Sequence, residues 1–376
     1  MTSRERLLAA VRHEEPDRVP VSPRVGFWMQ ARHGDGSLAK TLEVLPDMDF
    51  MHVVGSGTPN YLVSFPDVYP LPGVRVEQRR YVEGNYEVVE RIFHTPAGSL
   101  SDRTKIPPAG REYGVGPNPI RTENLVKGPA DVPALHYLLP PVNTNFDFAH
   151  ADQALIGDRG IVMPNIQSSL DHHAGDARNK QDLMEDYYID RPFFAALLAL
   201  FHEHQTAQLR AALEAGMEWI FGSWYFNSLS AGWSPAIFRE VFLPQITQHV
   251  ALTHSYGARY GYYDDGKLAG TMEMLAGTGI DVLETCTPPP VGDFDLADAK
   301  VKIGAKVTLK GYVDLLYVVK HGTPELVTDT VRQAMEIAKP GGGFIIGSSD
   351  SFREGTPDEN IAAYFAACRK YGTYAL

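Results

Sequence analysis

The chain has 376 residues, of which 44% are hydrophobic, and a formal net charge of -12 at pH 7. This length suits one large α/β domain, and the hydrophobic fraction is ordinary for a globular protein. The acidic balance argues against a nucleic-acid-binding or membrane-surface protein, because both need basic patches.

The two cysteines, Cys286 and Cys368, form neither a disulfide framework nor a CxxC metal motif. The N-terminus is charged and amphipathic, unlike a secretory signal, and no apolar run approaches the roughly 18 residues that span a bilayer. We therefore expect a cytoplasmic protein that contacts neither membrane nor nucleic acid.

In chain order, a helix capped at Ser3 comes first, and prolines then lead into a first strand. Apolar, β-rich runs predict strands near residues 19–24, 51–55, 160–166, 218–223, 258–264, 281–285, 307–312 and 343–347. From the third run onward a helical pattern follows each strand, with helix starts at Ser234-Pro235 and Thr323-Pro324.

Strand–helix alternation predicts a parallel sheet, and eight strands are the number that closes a (β/α)8 TIM barrel. A doubly wound sheet is the alternative, but its GxGxxG turn is absent after the first strand. No linker separates two domains, so the sequence predicts a single domain over residues 1–376.

One segment departs from the alternation. Residues from Val74 to about Leu100 alternate apolar and polar side chains and turn at Gly84-Asn85, which predicts a β-hairpin followed by another strand. We interpret residues 61–141 as an insertion after the second strand, near the C-terminal mouth of the barrel.

Several segments resemble the uroporphyrinogen decarboxylase-like family: "RERLLAAVRHEEPDRVPV", "FREVFLPQI", "DVLETCTPPPVGDFDLADAK" and the stretch from "GTPELV" to "ENIAAYF". The resemblance spans nearly the whole chain and implies a (β/α)8 barrel. That family contains porphyrinogen decarboxylases and methyltransferases that work with corrinoid proteins, thiols or tetrahydrofolate, many of them with zinc.

The decarboxylases carry an arginine-rich motif after the first strand that holds substrate carboxylates. Here that region, "PVSPRVGFWMQARHGDG", offers Arg24 and Arg32 but lacks the Gly-Arg-Tyr core. The resemblance is therefore closer to the corrinoid-linked methyltransferase branch.

The zinc-dependent methyltransferases have His-x-Cys after the fifth strand and another Cys after the eighth. Matching those motifs places Tyr263 at the histidine position and Asp265 and Asp350 at the two cysteine positions. A glutamate used by cobalamin-independent methionine synthase corresponds to Glu284. The resemblance thus implies a carboxylate set in place of thiolates.

Asp265, Glu284 and Asp350 fall at the C-terminal ends of predicted strands, where barrel enzymes place their chemistry. Converging carboxylates repel each other unless a cation or protons separate them, and a divalent metal is the simplest neutraliser. An imidazole from His172 or His173 of the "DHH" loop would favour zinc or iron, and we expect His172 and zinc; manganese and magnesium stay open.

Each of these residues also has a purely structural interpretation. Asp265 could cap a helix, and Asp350 could cap a loop. Glu284 could form a rim salt bridge with Lys267 or Lys310. Whether Asp264 or Asp265 faces the site is open; we place Asp264, Lys267 and Tyr263 in a catalytic shell around the metal.

Aromatic residues follow the first and fourth strands and suit a flat ligand, or equally the packing of long loops. The predicted substrate-binding residues are Phe27, Trp28, Asn165, Trp224, Tyr225, Asn227 and Tyr312.

The first functional hypothesis is a metal-assisted methyltransferase that moves a methyl group from a methoxylated aromatic or similar small donor. The acceptor would be a corrinoid carried by a partner protein, or tetrahydrofolate. The alternative is a decarboxylase or lyase without a corrinoid, in which Asp264 or Asp265 gives the proton and Arg24, Arg32 and Lys267 hold carboxylates. The oligomeric state is open.

Overall fold

The computed structural model describes residues 1–57, 70–108, 119–224, 227 and 229–374. These residues divide into two compact units. Unit 1 comprises residues 1–55, 145–166 and 212–376, and unit 2 comprises residues 56–144 and 167–211. The predicted insertion, residues 61–141, falls within unit 2; the prediction of one domain, and the position of the insertion at the barrel mouth, stay predictions.

The strands alternate with helices along most of the chain. The strands are β1 (Phe50–Val54), β2 (Arg75–Glu83), β3 (Tyr86–Thr95), β4 (Gly98–Ile106), β5 (Ile120–Glu123), β6 (Gly160–Gln167), β7 (Trp219–Ser223), β8 (Arg259–Tyr263), β9 (Val282–Thr285), β10 (Thr308–Val313) and β11 (Phe344–Ser348). The helices are α1 (Ser3–Val11), α2 (Gly26–His33), α3 (Leu38–Val44), α4 (Val132–Leu135), α5 (Asp147–Ile156), α6 (Gly175–Ala177), α7 (Lys180–Ile189), α8 (Arg191–Glu214), α9 (Pro235–Ile237), α10 (Leu243–Ser255), α11 (Met272–Gly277), α12 (Leu296–Lys302), α13 (Pro324–Ala338) and α14 (Asp358–Gly372).

Helix starts follow the side-chain caps that the sequence offers. Ser234 and Thr323 cap α9 and α13 as predicted, by accepting hydrogen bonds from the backbone N–H of Ile237 and Leu326. For α1 the cap is Thr2, one residue before the predicted Ser3, because Thr2 forms a reciprocal capping box with Glu5. Among the described residues, no helix is both long enough and apolar enough to cross a lipid bilayer.

The principal sheet is parallel and has seven strands in the order β1-β6-β7-β8-β9-β10-β11. Seven of the eight predicted strands are therefore present, and the mixed α/β architecture is consistent with a TIM-barrel-like fold.

The predicted first strand, residues 19–24, is not a regular strand. Val21 forms an isolated parallel bridge with Ile346, and the Ser22 N–H donates to the Ile346 carbonyl. The segment includes Pro20 and Pro23, which have no N–H to donate to a ladder, and this explains why pairing stops after Ser22. Eight regular barrel strands are thus not confirmed.

Apolar side chains of the parallel sheet form one core cluster. Its strand members are Met51, Ile161, Met163, Trp219, Phe221, Tyr263, Val282 and Ile345, and Leu7, Ala10 and Val11 of α1 belong to the same cluster. The cluster supports the C-terminal strand ends, where the polar site residues begin.

Unit 2 contains a separate four-stranded antiparallel sheet in the order β2-β3-β4-β5. The predicted turn is confirmed: Glu83 pairs with Tyr86, and Gly84 adopts a positive φ of 65°. Arg91 and Asp102 face each other across β3 and β4 as a fully buried ion pair. The unit is therefore built around its own sheet and its own buried contacts.

The carboxylate of Asp49, immediately before β1, is fully buried and joins three segments. It accepts hydrogen bonds from Arg6 of α1 at 2.5 Å, from Arg18 at 2.7 Å and from the Val21 N–H at 2.7 Å. These contacts hold the short bridging segment beside β1. Among the described residues, the one backbone hydrogen bond added there runs from the Asp49 N–H to the Val21 carbonyl.

Asp49→Asn should lower the free energy of unfolding by up to about 3–5 kcal/mol, because Arg18 loses its carboxylate and the buried Arg6 retains Asp17 but loses its second carboxylate. Asp47→Asn is the matched control; its ion pair with Arg369 is half exposed and should contribute at most about 1 kcal/mol. Urea denaturation of both variants checks the prediction, and equal losses would contradict it.

Candidate functional site

A charged cluster lies at the C-terminal ends of β9 and β10 and at the segment that follows the Val21 bridge. Glu284 and Lys310 are register neighbours on β9 and β10. One oxygen of Glu284 lies 2.5 Å from Lys310 Nζ and accepts a hydrogen bond from Arg24 Nε at 2.9 Å. Glu284 therefore forms the salt bridge with Lys310 that its structural interpretation predicted.

Burial and charge act against each other in this trio. Burial alone would raise the pKa of Glu284, but the attraction of Lys310 and Arg24 outweighs it, so the pKa is lowered. Burial lowers the pKa of Lys310, and the attraction of Glu284 only partly offsets this. The pKa of Arg24 is raised, because attraction to Glu284 outweighs the effect of burial.

The guanidinium group of Arg24 lies over two aromatic rings of the site. Its guanidinium carbon lies 4.0 Å from the ring centroid of Tyr263 and 4.8 Å from that of Phe221, a cation–π arrangement. Its Nη2 is buried and has no hydrogen-bond partner among the residues that the structure describes. This nitrogen is enclosed by the protein, so it is not open to a ligand in the present side-chain position.

A second group of polar atoms surrounds the Tyr263 hydroxyl. This oxygen lies 3.4 Å from Asp265 Oδ2 and 3.5 Å from Asp350 Oδ1. One hydroxyl proton cannot serve both carboxylates at once, so the two acids compete for it. Asp350 also pairs with Arg353 at 2.6 Å.

The pKa of Asp265 is raised by burial and by the neighbouring charge of Asp350. Burial also raises the pKa of Tyr263 well above its ordinary value, so the phenol stays protonated. The arrangement therefore holds a carboxyl group with an increased tendency to carry a proton, beside a neutral hydroxyl.

The predicted three-carboxylate metal centre does not fit these contacts. Glu284 is neutralised by Lys310 and Arg24, and Asp350 by Arg353. In the described part of the chain, no three His, Cys, Asp or Glu side chains are grouped as metal ligands. Positively charged side chains of the protein thus supply the compensation for which the metal was invoked.

Two of the predicted catalytic residues have structural contacts. Asp264 is buried: its backbone pairs with Glu284 and Thr285, and its Oδ1 accepts from the Gly266 N–H at 2.8 Å. Lys267 is exposed, and its N–H donates to Ser230. Of the two neighbouring aspartates, Asp265 is therefore the one whose carboxylate lies in the site, beside the Tyr263 hydroxyl.

His172, the predicted fourth ligand, belongs to unit 2, where its Nδ1 lies 3.0 Å from Asp176 Oδ2. Its neighbour His173 stacks on Phe201, and burial lowers the pKa of His173 to about 3. A role for His172 in metal binding stays a prediction.

A partly open cavity of about 330 Å³ lies next to the charged cluster. Arg24, Glu284, Lys310 and Asp350 line one part of it, and apolar side chains including Leu38 and Phe50 line another. This volume is at the lower end of the range for small-molecule sites, which is roughly 300–1,000 Å³.

Of the predicted substrate-binding residues, Phe27 lines this cavity, and Arg353 covers its ring at 4.8 Å. Trp28 lines a different cavity, beside Phe365. Trp224 is fully buried, and its indole N–H donates to Tyr260. Trp224 thus packs inside the fold, and Tyr225 lies outside the described residues.

Three further residues that were predicted to bind substrate are polar: Asn165, Asn227 and Tyr312. None of them is among the described residues that line the cavity. Asn227 is fully buried, and Asn165 is half-buried near the end of β6. Tyr312 has a positive φ of 90°, and burial raises its pKa. Their roles in substrate binding stay predictions.

The sequence analysis gave Lys310 only a salt-bridge role and did not consider Arg353 or Phe221. A lysine inside the apolar run "VTLKGYV" is a signal for a buried ion pair, since an unpaired charge there would be costly. Arg353 follows Asp350 by three residues, but nothing in that spacing predicts the pairing.

The comparison with solved structures finds a methyltransferase from Methanosarcina mazei, 16% identical in sequence, with a TM-score of 0.64. The alignment covers 99% of each chain, so the whole fold is shared. A muconate lactonizing enzyme from Pseudomonas putida and a muconate cycloisomerase from Pseudomonas fluorescens align with TM-scores of 0.26 and 0.25, at 10% and 11% identity. These alignments cover 80% and 81% of this chain and 77% of each of the two enzymes, and TM-scores this low do not show a shared fold.

No curated protein matches the sequence significantly. The family model described as uroporphyrinogen decarboxylase (URO-D) matches residues 173–371, more than half of the chain. The matched range contains Tyr263, Asp265, Glu284, Lys310 and Asp350 of the site. The chain therefore belongs to the uroporphyrinogen decarboxylase family.

Proposed function

We propose that the protein is a methyltransferase that takes a methyl group from the oxygen of a small methoxylated aromatic acid. The observation that carries the proposal is the position of Asp265, which shares the Tyr263 hydroxyl with Asp350 but has no ion-pair partner among the described residues. The fold shared with a methyltransferase over the full chain supports the reaction class.

An ether oxygen is a poor leaving group, because its bond to carbon breaks with the electron pair going to oxygen. Asp265 is suited to give that oxygen a proton, since burial and Asp350 both raise its pKa. The carbon–oxygen bond breaks, the methyl carbon bonds to the acceptor's electron pair, and the oxygen leaves as a hydroxyl. Asp265 is left as a carboxylate, which solvent reprotonates.

Arg24 would hold the acid group of the donor. The Arg24 side chain lines the cavity and is 27% exposed, and Glu284 fixes its Nε at 2.9 Å, so the guanidinium is held in a defined orientation. The cavity of about 330 Å³ accommodates one aromatic ring with short substituents.

The methyl acceptor is a further part of the proposal. A corrinoid carried by a partner protein would supply a strong nucleophile for the methyl group, and tetrahydrofolate is the other candidate. Zinc content likewise stays a prediction, open to elemental analysis of the purified protein.

Decarboxylation is the alternative that the family allows. The same Arg24 could hold a carboxylate, and the same Asp265 could protonate the carbanion left after carbon dioxide departs. The two reactions give different products from one compound, so a single assay separates them.

Incubation with 4-methoxybenzoate and either cob(I)alamin or tetrahydrofolate should yield 4-hydroxybenzoate and the methylated acceptor, measured by chromatography. Asp265→Asn should reduce the rate by about 10²–10⁴, the usual contribution of a general acid. Asp298→Asn, an exposed change on α12, should leave it unaltered. Release of carbon dioxide with formation of anisole would favour the decarboxylase instead.

Asp265 should also destabilise the folded protein at neutral pH. Its folded pKa is raised above the ordinary value of 3.8, so the folded state disfavours the ionised form and stability falls as pH rises above that value. Asp265→Asn should therefore raise the Tm at pH 7, with the gain disappearing near pH 3.5. Calorimetry across this pH range checks the sign, and a lower Tm for the variant at pH 7 would refute it.

Glu284→Gln should lower the free energy of unfolding by about 3–5 kcal/mol, because it leaves Lys310 and Arg24 with uncompensated charge. The double variant Glu284→Gln/Lys310→Met should recover part of the loss. Glu336→Gln on the exposed face of α13 is the control. Equal stability of the single and double variants, measured in urea, would contradict the role assigned to the ion pair.

A further inference from the structure

One edge of β1 faces the cavity. Along its other edge β1 pairs with β6 over its whole length, from Phe50 opposite Gly160 to Val54 opposite Pro164. The cavity is lined by residues 50–53 of β1 and by residues 22–27. In the described chain, no backbone hydrogen bond joins β1 to residues 22–27. The cavity therefore lies where a further strand would otherwise pair with β1.

The alternation of the strand determines which backbone groups of β1 face the cavity. In a parallel ladder the N–H and C=O of one residue point to the same side, and successive residues alternate between the two sides. The Asp49 N–H donates to the bridging segment, away from β6. The Phe50 carbonyl points toward β6, where it blocks the position that a Cβ on Gly160 would take. Met51 and Val53, like Asp49, therefore direct their N–H and C=O groups to the side of the cavity.

A proline and a helix start explain why this edge has no partner strand. Pro23 has no N–H to donate to a continued ladder. The carbonyl of Val25 accepts instead from the Met29 N–H in the first turn of α2. The backbone polar groups of Met51 and Val53 are thus left for a partner that enters the cavity.

One α-amino acid residue in amide linkage has the groups that this edge requires. In an extended chain its N–H and its C=O point to the same side, so one residue can donate to the Met51 carbonyl and accept from the Val53 N–H. This is the pairing by which a short peptide segment adds to a sheet edge. A cavity of about 330 Å³ is large enough for one such residue with its two flanking amide groups.

The remaining walls of the cavity indicate a neutral ligand with an apolar side chain. Leu38, Met48 and Phe50 supply apolar surface. The charged lining residues are two cations and two carboxylates, so their formal charges cancel: Arg24, Lys310, Glu284 and Asp350. A ligand with a net charge gains no overall attraction there, whereas a neutral amide does not need one.

We infer that the open edge of β1 binds an N-acylated α-amino acid amide with an apolar side chain, whose single residue pairs with Met51 and Val53 as a short strand. The inference goes beyond the proposed function, and it does not depend on the identity of the methyl donor or acceptor. It assigns a second class of ligand to the protein, recognised through backbone groups rather than through Arg24.

N-acetyl-L-leucinamide is the probe, and its binding to the wild-type protein is measured by isothermal titration calorimetry. The probe should bind saturably. It should also slow the hydrogen exchange of the Val53 amide, measured by NMR, because that N–H gains an acceptor. The matched ligand is 2-acetoxy-4-methylpentanamide, in which an ester oxygen replaces the leucine N–H. It should bind about tenfold more weakly, because the Met51 carbonyl loses its donor.

Val53→Pro removes the N–H on the cavity side, and proline is tolerated at a strand edge whose N–H is not part of the ladder. Val53→Ala keeps that N–H and is the matched control. Val53→Pro should abolish binding of the probe, whereas Val53→Ala should retain it, and circular dichroism establishes that both variants are folded. The measurements on wild-type protein do not depend on that folding. Absence of saturable binding, equal affinity for amide and ester, or unchanged exchange at Val53 would each overturn the inference.

Discussion

The site depends on a balance of buried charge. Glu284 is buried between Lys310 and Arg24, and no member of the trio would be tolerated there alone. Because Glu284 and Lys310 are buried, their ion pair is strong, and Glu284 in turn fixes the position of Arg24. Arg24 is thereby held over Tyr263, and the geometry around Asp265 follows from that placement.

The same balance explains why carboxylates can be grouped without a metal. The sequence predicts that positive charge must compensate the carboxylates of Asp265, Glu284 and Asp350. The simplest source considered there was a metal ion. Arg24, Lys310 and Arg353 provide equal positive charge from three separate segments. Asp265 is the member of the acid set without a described ion-pair partner, and burial and the charge of Asp350 raise its pKa.

Much of the fold could be predicted from sequence because its signals are local. Apolar runs gave seven strands, Ser234 and Thr323 gave helix starts, and the Gly84 turn gave the antiparallel hairpin. The first strand failed because its prolines remove backbone donors that the hydrophobic pattern does not count. In the site, Lys310 was one of two lysines considered as a partner of Glu284, but Arg24 was not, since it reaches Glu284 from 260 residues away in the chain.

The proposed role of Asp265 makes one physical demand on the site. A general acid that gives up one proton in each turnover must regain it, which requires contact with solvent; Asp265 is only partly buried, unlike Asp264 beside it. Asp265 is not among the described lining residues of the cavity that contains Arg24 and Glu284, so that cavity is not shown to supply its proton. The interrupted first strand bears instead on the wall of the cavity. Its prolines limit pairing beside β1, and Phe50, Met51 and His52 of β1 line the cavity.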